Sequence, residues 1–319
     1  MVSCNGGAEV AKAQKMGTHH TGEDNLRWME FALQGKPHTP IPLDVQMSQA
    51  RHLCFDGVAC LPPEGGADVW LDSIAHADLL PSGESDILSA LKSYQISTWS
   101  VSVLMGLPEP PWKKLFRKMA AYGMTNLLLA VGVGCQEGLA ERGARLIERL
   151  EKGEKLSGDE ALAEVRRQVL LQEVDWEKLA RVLHTIRRIA GPRLRISLFP
   201  GANPGGILQG NALETLLQEP EFAGIGYWHD TGVAQIRHAF GLEEPGWWLD
   251  TFGASIQGTT LQDWSVGTTG LAPGEGEVDF RLVAEYLPAE ARRVLSLAPS
   301  YSGAALTEAA DVFATLRLG

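Results

Sequence analysis

The chain has 319 residues, 45% of them apolar and 21% charged, which is core material for one large domain or two small ones and argues against a disordered chain. A net charge of −11, with no basic run interleaved with aromatics, gives no footprint for nucleic-acid phosphates, so no nucleic-acid partner is expected. No apolar run reaches the roughly 18 residues a bilayer span needs, and the opening MVSCNGGAEVAKAQK lacks an apolar signal core, so the expectation is a cytoplasmic protein with no membrane partner.

In chain order, residues 1–50 form an N-terminal segment with only weak strand candidates, at Lys15–His20 and Pro40–Val45. From there short apolar, β-branched or aromatic runs predict strands at Asp56–Leu61, Thr98–Leu104, Asn126–Val131, Leu194–Phe199, Gly224–Asp230, Ala254–Leu261 and Arg293–Ala298. Between them the period changes. Leu179, Val182, Leu183, Ile186 and Ile189 recur at helical steps before the Gly191-Pro192 stop, and Leu306, Ala310, Phe313 and Leu316 do so in the last helix.

Strand and helix in alternation predict a parallel sheet covered by helices. Seven strands are readable, and an eighth from residues 1–50 would close the sheet into an α/β barrel of the (β/α)8 TIM type spanning 51–319; an open doubly wound sheet is the alternative. The charged stretch at about 137–174 reads as a helical insertion on the rim, with too little apolar material for a domain of its own.

Several local constellations bear on chemistry. His19, His20, Glu23 and Asp24 (HHTGED) form the densest group of metal-ligand types, in a spacing that matches no ligand framework and reads as a solvated turn. Asn203–Gly206 (NPGG) and Gly132–Gly134 (GVG) follow strands and offer backbone N–H groups to an anion, or serve as ordinary loops. The four cysteines, Cys4, Cys54, Cys60 and Cys135, lack CxxC spacing and read as reduced thiols; Cys135, near a strand end, has no histidine paired with it by sequence. His229 and Asp230 are consecutive in a strand and so point to opposite faces, which makes His229 structural if Asp230 faces the barrel mouth. Trp228, Trp247, Trp248 and Trp264 fall near the expected mouth, as stacking faces for a sugar or as filling for a vacated cavity.

The succession GYWHDTGVAQ, ASIQGTTLQDW, LAPGEGEVDF and RVLSLAP resembles, in order and spacing, the C-terminal third of the xylose isomerase-like TIM barrels, the sugar and sugar-phosphate isomerase/epimerase superfamily that includes endonuclease IV. The loop Gly274–Phe280 (GEGEVDF) is the most specific part of the match. The resemblance implies a mouth where Glu, His and Asp at strand ends hold Mn, Mg, Zn or Co, which polarises a sugar while carboxylates move a proton.

Carried over residue by residue, the family's ligand positions fall on Ala59, Leu104, Ala130, Phe199, Val233, Thr260, Gln262, Gly270 and Ser296, leaving only Asp230 and Asp263 as carboxylates. A divalent ion needs about four to six hard or borderline donors, so the expectation is a degenerate member with no metal and no other cofactor. Two readings follow from the resemblance. One is a non-catalytic protein that binds a small sugar or polyol, or that pairs with an active paralogue or with itself. The other is a divergent isomerase or epimerase in which Asp230 and Asp263 act without metal or with a relocated one.

Overall fold

A computed structural model describes residues 27–31, 52–53, 57–60, 93–100, 126–130, 138–171, 176–192, 195–201, 210–266, 268–298 and 300–316. The parallel strands β1 (Arg27–Phe31), β2 (Gly57–Cys60), β3 (Ser93–Ser100), β4 (Asn126–Ala130), β5 (Arg195–Phe199), β6 (Ile225–Asp230), β7 (Ile256–Leu261) and β10 (Arg292–Leu297) close in the order β1-β10-β7-β6-β5-β4-β3-β2. Closure removes the open doubly wound alternative. Two short strands, β8 (Asp263–Ser265) and β9 (Thr268–Leu271), form a separate antiparallel hairpin at the end of β7.

The closing strand is neither of the segments expected from the sequence. It is RWMEF, which pairs with β10 through Trp28–Val294 and Glu30–Ser296 and with β2 through Glu30–Ala59. The third strand also begins earlier than its apolar run and ends at Ser100, which lies in register with Ala130. Leu104, HHTGED, GVG, Cys135 and NPGG lie outside the described residues.

Described helices follow the later strands. Three lie between β4 and β5: α1 (Leu139–Glu151), α2 (Glu160–Leu170) and α3 (Trp176–Ala190). Then come α4 (Gly210–Gln218) after β5, α5 (Thr231–Ala239) and α6 (Pro245–Phe252) after β6, α7 (Phe280–Tyr286) after the hairpin and α8 (Gly303–Thr315) after β10. In α3 the predicted apolar stripe is the buried one: Leu179, Val182, Leu183 and Ile186 pack against Leu127, Leu129, Ile196 and Leu198 on the outer face of the sheet. Each fully buried side chain of this size contributes about 1.5–3 kcal/mol.

Along β5, β6 and β7 the inner face is filled by side chains. Trp228 lies across Gly258, where a Cβ would sit 2.2 Å from its ring, and its indole N–H donates to Thr260 Oγ1 at 2.9 Å. Nearer the start of the strands, Ser197 donates to Gln257 Oε1 at 2.7 Å, and Gln257 occupies the space a side chain at Gly226 would need. Among the described residues, the inner face between β5, β6 and β7 is thus packed core.

The helices of the charged stretch build a second apolar cluster. Leu139, Leu146 and Leu150 of α1 and Leu162, Val165 and Val169 of α2 meet Ile236 and Phe240 of α5 and Trp264 of β8. The cluster is completed by barrel residues, so the excursion shares its core with the rim.

Candidate active site at the barrel mouth

Strand β6 sets the geometry. Tyr227 stacks on Trp248 and Phe252 of α6, so its odd-numbered positions face the helices, while Trp228 and Asp230 share the inner face. His229 accordingly belongs to the helix layer. It is 2% exposed, its Nδ1 lies 3.2 Å from Tyr227 Oη, and burial pushes its pKa down to about 4. The same burial pushes the Tyr227 phenol well up. His229 is a neutral packing residue with no access to a ligand at the mouth.

Asp230 stands where β6 ends and α5 begins. Its Oδ1 accepts from the Val233 backbone N–H at 3.0 Å, which caps the helix, and from Gln262 Nε2 at 2.9 Å. Burial raises its pKa, opposed by the Val233 amide and by Gln262. The turn is tied to β7 as well: Thr231 Oγ1 donates to the Gln262 carbonyl at 2.6 Å and accepts from the Gln262 N–H at 3.0 Å. A Cβ at Gly232 would lie 2.6 Å from the Gln262 side chain, so glycine there lets Gln262 keep its place against the turn. The Thr-Gly turn and Gln262 therefore form one unit that holds Asp230 at the edge of the mouth.

Asp263 is different. It is fully buried, and its carboxylate accepts four backbone N–H groups: Trp264 at 2.8 Å and Val278 at 3.0 Å on Oδ1, Gly274 and Gly276 each at 2.8 Å on Oδ2. A Cβ at Gly276 would lie 2.4 Å from Asp263 Oδ1 and 2.4 Å from the Trp264 carbonyl, so the loop wraps the carboxylate only with glycine there. Expected as a catalytic candidate, Asp263 instead spends its acceptor capacity on loop 274–278. The GEGEVDF segment owes its shape to this anion. Sequence cannot show it, because the partners are backbone amides 11 to 15 residues further on.

The positions matched to the family's ligands are distributed as follows. Ala59, Ala130 and Phe199 lie in β2, at the end of β4 and at the end of β5, with Ala130 and Phe199 in register and Phe199 8% exposed. Val233 is a buried residue in the first turn of α5, and Thr260 accepts from Trp228 within the barrel. Gly270, at φ 67°, accepts from the Ala298 N–H at 2.7 Å, and a Cβ there would lie 2.7 Å from that nitrogen; a histidine cannot be seated on this backbone. Ser296 is half-buried in β10, in register with Glu30. Among the described residues no three His, Cys, Asp or Glu side chains are grouped so as to hold a metal ion.

The tryptophans do not gather at the mouth. Trp228 fills the barrel, and Trp248 is buried in the helix layer with the Arg237 guanidinium 5.1 Å from its ring centre. Trp247 packs against Gly210 at the start of α4, and Trp264 belongs to the excursion cluster. Arg237, 1% exposed, forms two bonds to the Glu243 carboxylate at 2.6 and 2.7 Å, and Glu243 also accepts the Gly210 N–H at 3.1 Å. The closing strand β1 escaped the sequence reading. The available signal was three large apolar residues in the five of RWMEF.

No family model and no curated protein matches the sequence. Solved structures do. A xylose isomerase domain-containing protein from Salmonella typhimurium superposes with a TM-score of 0.57 at 12% identity, covering 94% of this chain and 100% of that one. A probable 3-DHS dehydratase from Bacillus anthracis gives 0.55 at 12% identity over 91% of this chain and 98% of that one. A xylose isomerase-like TIM barrel protein from Mycobacterium smegmatis, in complex with magnesium, gives 0.51 at 12% identity over 86% and 88%. At such identities the likeness concerns architecture, not reaction. The chain has the fold of the xylose isomerase-like TIM barrels.

Proposed function

We propose that this chain is a complete (β/α)8 barrel of the sugar isomerase/epimerase type in which divalent-metal chemistry has been given up, and that it serves in the cytoplasm as a non-catalytic receptor for a small sugar or polyol. The observation that carries the reading is the fate of the two carboxylates. Asp263 is saturated by four amides, and Asp230 caps a helix while accepting from Gln262. Around them Phe199 and Val233 are buried apolar residues and Thr260 is engaged by Trp228. A divalent ion in such surroundings would lack the four to six donors it needs, and Phe199 and Val233 would raise the cost of a bare charge. The donor set does not fit a metal, and no step of a reaction is assigned to one.

What remains suits binding. The Asp230–Gln262 pair is oriented by a turn locked to β7, so little rotamer freedom is lost when a ligand meets it. Elemental analysis of purified protein, with calorimetric titration of Mn2+, Mg2+ and Zn2+, tests the reading. The expected result is less than a tenth of an equivalent of metal and no saturable heat. One equivalent of tightly held metal, lost in Asp230→Ala, would overturn it and restore the divergent enzyme.

A further inference from the structure

The Gln262 side chain is held in one orientation. It lies against the Thr-Gly turn, in the space a Cβ at Gly232 would need, and its own backbone N–H and carbonyl are both bound by Thr231 Oγ1, at 3.0 and 2.6 Å. Its amide nitrogen donates to Asp230 Oδ1 at 2.9 Å. An ionised carboxylate can only accept, so the amide cannot be turned over, and Oε1 is the end directed away from Asp230. Among the described residues none donates to that oxygen.

Both residues are half-buried at strand ends, Asp230 closing β6 and Gln262 just past β7, so the pair borders the mouth without being sealed off. Three of its groups remain for a ligand: Asp230 Oδ2, since both side-chain bonds of Asp230 end on Oδ1, the second N–H of Gln262 Nε2, and Gln262 Oε1. They alternate acceptor, donor, acceptor. A hydroxyl both donates and accepts, whereas a carbonyl or carboxylate brings acceptors alone and meets only the N–H. Nε2 and Oε1 share one carbon atom, so hydroxyls on neighbouring carbons span them and hydroxyls set farther apart do not. Resting on the reading of the barrel as a small-ligand receptor, we propose that the mouth recognises a vicinal diol, with Gln262 as the specificity-determining residue and Asp230 Oδ2 accepting from one of the two hydroxyls.

The test is calorimetric titration of the full chain with ribitol, xylitol and sorbitol, followed by competition of the tightest binder with the vicinal and the α,ω isomers of pentanediol. At least one polyol binds the wild type, and the vicinal isomer displaces it at a concentration about tenfold below that needed with the α,ω isomer. Gln262→Met, which keeps the length of the side chain and removes its donor and acceptor, weakens the polyol about tenfold and abolishes the difference between the isomers. Where circular dichroism shows that Gln262→Met does not fold, the comparison of isomers on the wild type decides alone. Equal competition by the two isomers, or a folded Gln262→Met that binds polyol as the wild type does, would overturn the diol assignment and leave the receptor reading standing. A wild type that binds none of the three polyols overturns both.

Discussion

Replacing Asp263 by asparagine changes one atom, and its effect follows from the four amides around the carboxylate. The asparagine oxygen can keep one pair of donors, either Trp264 and Val278 or Gly274 and Gly276, but its NH2 then faces the other two N–H groups. Two bonds to a charged acceptor are lost, each worth about 1.5–3 kcal/mol, and two N–H groups are left facing the amide NH2. A destabilisation of about 4 kcal/mol is expected, a large share of what an ordinary domain has. Urea unfolding followed by circular dichroism measures the total. Hydrogen exchange separates local from global loss: the Gly274, Gly276 and Val278 amides should lose protection by about a thousandfold, while core amides of β6 fall only with global stability. If Asp263→Asn unfolds within 1 kcal/mol of wild type and these amides stay protected, the carboxylate does not hold the loop and a role for Asp263 in chemistry reopens.

Four further outcomes are expected. His229, at about 4 in the fold against an ordinary 6.5, contributes stability that is complete above pH 6.5 and is lost as pH falls towards 4; between pH 7.5 and 4.5 urea unfolding should show a loss of about 2–3 kcal/mol that is missing in His229→Gln. Asp230→Ala should cost about 1 kcal/mol in the same assay through the lost cap, whereas Asp230→Asn, which keeps an acceptor for Val233, should cost less than half of that. Arg237→Ala strands the Glu243 carboxylate and should cost 3–5 kcal/mol by the general behaviour of buried pairs, with the paired change Arg237→Met, Glu243→Met recovering most of it. Gly258→Val drives a side chain into the Trp228 ring and should lower the melting temperature and alter tryptophan fluorescence; an unchanged spectrum would mean that the ring is not seated there.

The fold was legible wherever a strand carries a run of apolar residues on both faces. NLLLA, RISLF and IGYWHD are such runs, buried between an inner core and a helix layer. RWMEF was not, since a strand with arginine and glutamate in five residues is defined by its pairing to β10 and β2 and not by its composition. For the same reason SYQISTWS was read too late in the chain, by its apolar end. At the mouth, residue identities correctly placed Asp230 at a strand end, with Gln262 and Thr260 as its neighbours. They did not reveal the bonds from Asp263 to loop 274–278, because a carboxylate that cages a loop and one that performs chemistry look the same until the backbone amides are placed. The four tryptophans misled in a related way: closeness in sequence hid the fact that alternation in β6 and the turn into α6 send them to different layers.

The apolar cluster shared by α1, α2, α5 and Trp264 has a consequence for anyone who would cut this protein down. Val278, which packs on that cluster, is also one of the four amides on Asp263. Removing residues 138–171 would uncover Trp264 and loosen Val278 together, so a trimmed barrel would lose its rim loop along with the excursion. The segment that looks most like an ornament in the linear sequence is, mechanically, the buttress behind the mouth.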